Sequence, residues 1–242
     1  MKRPHGRAAV ATLAALGALV TLVPLEACMG DLDPPWQLDH DRIVAVRATP
    51  PGIAAGETST IDALLARKGE PTRVAPPELA MVVSPASLSD ALAFDGGRWT
   101  VTAPSEARLA AARAELKLDP GEPVPLQVGV TYANQSLVAT KTILLGRAAD
   151  NPALVNVMLD GKPANDGQLT VGKLVKVPLS IDADDTIDDV AWLTSCGTMH
   201  DFDLPAAYLE VEATDPEAGE LAVVLRDASG GVAWNVWQIH AE

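Results

Sequence analysis

The sequence predicts an all-β protein built from two β-sandwich domains in tandem. Short apolar runs of strand length recur along the chain, and turn residues from a total of 18 glycines and 19 prolines separate them. Only one segment has the composition of a helix. Hydrophobic residues make up 48% of the chain and aromatic residues 4%, so the core must consist mainly of valine, leucine, isoleucine and alanine.

The first 28 residues have the layout of a bacterial secretion signal, with a basic start and an apolar run from Ala8 to Val23. Residues 25–28, Leu-Glu-Ala-Cys, resemble the lipobox of bacterial lipoproteins. That resemblance implies a signal peptide at 1–27, an acyl anchor on Cys28 and export to the cell envelope, with Met29 favouring the outer membrane. Glu26 departs from the lipobox pattern, so an ordinary cleaved signal is the alternative.

Residues 28–41 are expected to be the lipidated cysteine and a tether. The segment is polar and contains Pro34-Pro35, a composition that favours an extended spacer. Trp36 is expected either to dock on the first domain or to lie at the membrane interface.

The first domain is expected at 42–148. Proline or glycine turns bound its early predicted strands, at 43–46, 58–65, 78–83 and 98–102. A helix is predicted from Ser105 to Leu116, where Ser105 can cap the first turn and 119–121 ends it. A hairpin around Asn134-Gln135 is predicted to close the domain, with strands at 125–132 and 137–145.

The second domain is expected at 151–242, after a boundary at Asp150-Asn151-Pro152. Its predicted strands alternate with turns in the manner of a sandwich and lie at 154–159, 174–181, 190–193, 208–211, 221–225 and 232–239. A flexible connection at 227–231 joins the last two strands.

Between 153 and 240 the sequence carries an acidic stretch at 182–185, then Trp192, then Ser195-Cys196-Gly197-Thr198, and a closing hairpin through Gly230-Gly231. This order resembles PKD-like and cadherin-like immunoglobulin-type repeats of bacterial surface proteins. The first domain is similar to immunoglobulin-like modules of bacterial lipoproteins, through 46–51 and 55–57. These resemblances imply two immunoglobulin-like sandwiches and a core role for Trp192. Related repeats often carry a second cysteine that this chain lacks, which leaves Cys196 without an intradomain partner.

The net charge is −14, and removal of the signal segment, which carries a net +2, would leave −16. Such a surface repels nucleic acid and anionic lipid headgroups. The expected partners are therefore the membrane, through the lipid anchor, and an unidentified envelope protein or polysaccharide. Nucleic acid is not an expected partner.

Five aspartates close in sequence form the first candidate site: Asp182, Asp184, Asp185, Asp188 and Asp189. Calcium takes about 6–8 oxygen ligands, which such a cluster can supply. The spacing does not match an EF-hand loop, because its glycine and its closing glutamate are missing. The alternative is a solvated turn in which aspartates cap backbone amides.

Cys196 and His200 form the second candidate site, with Met199 between them. Thiolate, thioether and imidazole are the ligands of copper sites. Blue-copper sites usually draw a further histidine from a distant strand, for which His40, His240 or neither could serve, and the spacing here does not match the loop of that family. The alternatives are a buried thiol and an intermolecular disulfide.

Three tryptophans could stack on a sugar: Trp192, Trp234 and Trp237. Trp234 and Trp237 lie an odd number of residues apart, so on one strand they face opposite sides. One is then expected in the core and the other exposed or at a domain contact.

Catalytic signatures are missing from the sequence. It has no nucleophile elbow, no phosphate-binding loop and no His-Glu-x-x-His helix, and it has only 4 histidines. The predicted function is therefore non-catalytic: a lipid-anchored binding, adhesion or assembly module of the cell envelope. The alternative is a structural module that depends on calcium or another metal.

Overall fold

The structure is a computed structural model that describes residues 33–164, 167–183 and 186–242, without the side chain of Asp188. The predicted signal peptide and Cys28 lie outside the described residues. The first nine strands are β1 Arg42–Thr49, β2 Gly52–Ile53, β3 Thr58–Arg67, β4 Glu70–Ala75, β5 Leu79–Ser84, β6 Leu92–Asp95, β7 Arg98–Thr102, β8 Val124–Tyr132 and β9 Leu137–Leu145. A 3-10 helix at Ala86–Ala91 and the α-helix α1, Glu106–Leu116, lie among them.

The remaining strands are β10 Val155–Leu159, β11 Lys162–Pro163, β12 Gln168–Val171, β13 Lys176–Asp182, β14 Ile187–Thr194, β15 Thr198–His200, β16 Ala206–Glu210, β17 Ala218–Asp227 and β18 Val232–Ala241. Most of the predicted strands are present with ends shifted by a few residues. Six of the described strands have no counterpart in the sequence prediction: β2, β4, β6, β11, β12 and β15.

Four sheets form two sandwiches. Sheet 1 has the order β1-β3-β7-β6, with β4 also paired to β3, and sheet 2 has the order β2-β9-β8-β5. Together they make the N-terminal sandwich. Sheet 3 has the order β11-β10-β13-β16-β15 and sheet 4 the order β12-β18-β17-β14, and these make the C-terminal sandwich. The predicted fold class is confirmed: two immunoglobulin-like β-sandwiches in tandem, with one α-helix inserted in the first.

The core of the N-terminal sandwich follows from alternation along its strands. Alternate residues of β8, from Val124 to Tyr132, are buried against the inward residues of β3 and β9. Ser59, Ile61 and Ala63 share one buried face of β3, as the sequence predicts. Apolar burial of this kind is the main favourable term in folding.

The helix α1 packs Leu109 into this core, and Leu116 lies at its margin. It ends because Lys117 adopts a left-handed conformation with φ of 58°. The start of the helix differs from the prediction that the Ser105 side chain caps it. The Ser105 side chain makes no capping bond, while its carbonyl accepts the amides of Arg108 and Leu109 at 2.9 and 3.0 Å.

The C-terminal sandwich is closed around Trp192, which is fully buried and donates its indole N–H to the carbonyl of Leu204 at 3.1 Å. Trp237 is also in this core, whereas Trp234 faces the other sandwich. The predicted split of the two tryptophans across one strand is confirmed. Arg47 covers Trp234, with its guanidinium carbon 3.9 Å from the ring centroid.

A third apolar cluster joins the outer faces of sheets 1 and 4. Leu64 and Ala66 of β3 pack in it with Ala222 and Val224 of β17. Both strands are therefore buried on two faces, because their alternate residues point into the sandwich cores. The two sandwiches are held together by a cluster of apolar side chains that are each at most 5% exposed.

Polar bonds reinforce the contact between the sandwiches. The Asn151 side chain donates to the carbonyl of Ala48 at 2.9 Å and accepts the amide of Val232 at 2.8 Å. At the opposite end, buried Glu220 accepts the amide of Thr72 at 2.8 Å. The predicted domain boundary thus contains a residue that bonds to both sandwiches.

Residues 33–41 differ from the expected tether. The Leu38 side chain is buried between the sandwiches, and Gln37 forms a parallel bridge with Thr194. Trp36 packs against the core of the second sandwich, not the first. Apolar residues in this polar segment hold it to the folded body, and residues 28–32 of the predicted tether lie outside the described residues. No helix in the described ranges is long and apolar enough to cross a membrane.

Candidate functional site

A concave cleft lies where the two sandwiches meet. We call it the junction cleft; it has a volume of about 600 Å³. It is lined by Asp41, residues 42–46 of β1, 137–142 of β9, and residues 226–227 and 230–232 of the β17–β18 hairpin. Clefts of this size commonly hold small ligands or peptide segments.

Lys141 is the most unusual side chain of the junction cleft. It occupies an inward position of β9, in the same register as buried Ile143 and Leu145, and is 6% exposed. Its ammonium group donates to the carbonyl of Gly230 in the other sandwich at 2.5 Å. Burial lowers the pKa of Lys141 to about 8, against the opposing attraction of Asp227.

Two arginines line the same cleft. Arg42 donates to the carbonyl of Pro35 at 2.7 Å, and burial together with the nearby charge of Arg226 lowers its pKa. Arg226 pairs with Asp189 and donates to the carbonyl of Val44 at 2.9 Å. Three cations therefore surround one cleft in a chain whose net charge is −14.

The carboxylates at the cleft are engaged with backbone amides. Oδ1 of Asp227 accepts the amides of Ser229 and Gly231 at 2.8 and 2.7 Å. Oδ1 of Asp41 accepts the amide of Lys68 at 3.1 Å. Within the described part of the chain, neither Arg42 nor Lys141 forms an ion pair.

The acidic cluster is only partly described. Asp182 accepts a hydrogen bond from the side chain of Asn156 at 2.6 Å, and Asp189 is the partner of Arg226. Asp184, Asp185 and the side chain of Asp188 lie outside the described residues. No group of three or more cysteine, histidine, aspartate or glutamate residues among the described ones is arranged to hold a metal ion. Calcium binding at this loop stays a prediction.

Cys196 and His200 have separate surroundings. The Cys196 thiol is buried in the second core and donates to the carbonyl of Pro216 at 2.8 Å, and burial raises its pKa. The His200 ring is partly exposed and stacks on Tyr208, with 4.4 Å between the ring centroids. Its Nε2 lies 3.5 Å from a carboxylate oxygen of Glu210. Copper binding, like the intermolecular disulfide, stays a prediction.

The three tryptophans considered for sugar binding do not form an exposed platform. Trp192 and Trp237 are buried in the second core, and Trp234 lies under the Arg47 guanidinium. Their rings therefore serve packing, and the platform hypothesis is wrong for this set.

Sequence reasoning missed the junction cleft and its cations. One signal was available: Lys141 interrupts the inward, apolar register of a predicted strand, where a lysine is seldom buried. Arg42 and Arg226 gave no comparable signal, because they converge only when two sheets from separate sandwiches meet.

No protein-family model and no curated protein matches the chain. Solved structures with low similarity include the two tandem V-type regions of VCBP3, a v-region-containing chitin binding protein, at 10% identity and TM-score 0.33, covering 82% of this chain and 99% of that one. The N-terminal Ig1-2 module of the Drosophila receptor protein tyrosine phosphatase DLAR matches at 10% identity and TM-score 0.27, covering 84% and 99%.

A nucleoside hydrolase-related hypothetical protein from Saccharophagus degradans matches at 13% identity and TM-score 0.31. That match covers 39% of this chain and 26% of the other, so the chain spans about a quarter of that protein's length. These TM-scores are low, and the fold is established by the chain's own sheets.

Proposed function

We propose that this protein is a non-catalytic binding or assembly module of the cell envelope, held at the membrane by a lipid on Cys28. The observation that carries the binding role is the junction cleft, a concave site of about 600 Å³ between two sandwiches. Its walls come from both sandwiches, so the apolar contact through Leu64 and Val224 fixes its shape. A preformed site loses little conformational freedom on binding.

The lipid anchor is supported by the sequence of residues 1–28. Because electrostatics would push an acidic chain away from an anionic membrane surface, its retention at a membrane would depend on acyl chains. Each buried CH₂ adds about 0.8 kcal/mol to membrane binding, and two or more chains make a durable anchor.

Anchoring is tested by growing cells with labelled palmitate. We expect the label on the wild-type chain and its loss in Cys28→Ala, with Cys196→Ala as the matched cysteine control that stays labelled. A wild-type chain without label, or a labelled Cys28→Ala chain, would overturn the anchor.

The binding role is tested by photocrosslinking in intact host cells. A photoreactive residue replaces one exposed apolar side chain at a time: Val138 at the junction cleft, or Met81 and Leu174 on other surfaces. A binding module gives a discrete adduct at one of these positions and none at the others. Adducts at no position, or the same smear at all three, would overturn it.

A further inference from the structure

We propose that the junction cleft binds an extended peptide segment of a partner protein, which adds as a strand to the open edge of β9 and places an acidic side chain beside Arg42 and Lys141. This inference rests on the proposed binding function and names the class of partner.

The first half of β9 has a backbone edge to which no described strand is hydrogen-bonded, and β1 forms the facing wall of the junction cleft. β2 covers only the end of β9, where Leu144 and Gly146 donate their amides to Pro51 and Ile53 at 2.9 and 2.8 Å. Backbone groups alternate in direction along a strand, so residues 138, 140 and 142 point the same way as Leu144. Within the described ranges, no backbone hydrogen bond meets those three residues at that edge.

The open edge is accessible to a partner. Val138 is 70% exposed, and the side chain of Thr140 also faces solvent. The stretch 137–142 contains no proline, and its only charge is that of Lys141. An open sheet edge of this kind is a template for β-augmentation, in which backbone hydrogen bonds supply affinity and side-chain pockets supply selectivity.

The inward lysine decides which segments can pair. A charge pointing into a sandwich next to an open edge deters indiscriminate strand addition, because an arriving apolar segment would desolvate it further. A carboxylate on the arriving segment would instead pair with it. Lys141 therefore selects by rejecting neutral or basic segments as well as by attracting acidic ones.

Charge complementarity at the cleft points the same way. Arg42 and Lys141 form no ion pair within the described part of the chain, and Asp41 and Asp227 are engaged with backbone amides. Arg226 faces both and already pairs with Asp189. Two partly desolvated cations thus gain a partner when a carboxylate enters, and charge-assisted hydrogen bonds of this type are among the stronger ones.

The edge sets the length of the segment. The outward positions 138 and 140 are open, whereas Gly230 lies beside the carbonyl of Thr142. About three to five residues of an added strand can therefore pair with this edge, since alternate residues of the partner face it. Longer segments would meet β2 at one end, where Ile53 pairs with Leu145.

The test is selection of a displayed random nine-residue peptide library on the full chain in detergent. We expect enriched peptides with β-branched residues and an aspartate or glutamate, and without proline at the centre. Methylation of alternate backbone nitrogens in a selected peptide should weaken binding at least tenfold in one register and little in the other, because only one set of amides faces β9.

Two variants locate the binding. The backbone N–H of residue 140 faces the open edge and makes no bond to β8. Thr140→Pro removes this N–H and should weaken binding at least tenfold. The matched variant Thr140→Val keeps it and should bind as the wild type does. Lys141→Met should abolish the preference for the acidic peptide over its glutamine or asparagine counterpart. Thermal melts check that each variant is folded. The methylated peptides test strand pairing on the wild-type chain and therefore do not depend on any variant.

Three results would overturn the proposal: no enrichment, peptides whose binding is equal in Thr140→Pro and Thr140→Val, or peptides insensitive to backbone methylation in both registers. Failure here is distinguishable from failure of the binding function. A discrete photocrosslink at Met81 or Leu174 with no selected peptide would preserve a binding role and place it on another surface.

Discussion

Replacement of Leu64 by alanine tests whether the two sandwiches unfold as one unit. Leu64 is 1% exposed and lies in the cluster between sheets 1 and 4, while its neighbour Leu65 is 2% exposed and faces the N-terminal core. A buried leucine-to-alanine change costs about 2–5 kcal/mol, through lost burial and the cavity that remains. We expect about 3 kcal/mol at either position, or a fall in Tm of about 6–12 °C for a unit of this size.

The two variants should differ in cooperativity. Leu64→Ala weakens the contact between the sandwiches, so calorimetry should resolve two transitions where the wild type shows one. Leu65→Ala removes the same atoms from inside one sandwich and should keep a single transition at lower temperature. A cost below about 1 kcal/mol for Leu64→Ala, or two separate transitions in the wild type, would refute the coupling.

Three further predictions concern single groups. The folded pKa of Lys141, about 8, lies below its ordinary 10.5, so the folded state binds fewer protons between these values and stability should rise over that pH window. Lys141→Met should therefore exceed the wild type in stability at pH 7, measured by urea unfolding, with an advantage that shrinks from pH 8 to 10.5; a constant advantage would contradict this. The buried Cys196 thiol should resist a thiol reagent in the folded chain and react after denaturation, and fast labelling of the native chain would count against its burial. The calcium hypothesis for the loop between Asp182 and Asp189 predicts that millimolar calcium raises Tm and EDTA lowers it, and an unchanged Tm would eliminate it.

Much of the fold was predictable because local patterns and tertiary demands agree. Alternation and turn residues located the hairpin of β8 and β9, where the inward residues, such as Val128 and Ile143, are apolar apart from Lys141. The odd spacing of Trp234 and Trp237 predicted that only one ring would be in the core, and the structure places Trp237 there. In these elements the burial of each side chain follows from its position in the alternation of the strand.

Other elements could not be predicted from local pattern. The very short strands β2 and β11 have too few residues to show alternation, and they exist because a longer strand offers them an edge. Residues 33–41 have the composition of a spacer, yet Leu38 and Trp36 find apolar surface that the folded sheets create. Composition reports the average preference of a segment, whereas docking depends on a few side chains meeting a surface made elsewhere.

The sequence by itself determined the fold class and the strand-forming segments, because strand periodicity and turn chemistry are local properties. The resemblance to immunoglobulin-type repeats implied a core position for Trp192, and the structure buries it fully. It also carries the secretion-signal pattern that ends at Cys28, on which the proposed anchor depends. Only the tertiary structure decided that the outer faces of β3 and β17 are buried against each other. It also brought Arg42, Lys141 and Arg226 around one cleft. These residues are far apart in sequence, and no local pattern encodes the packing of one sandwich against another.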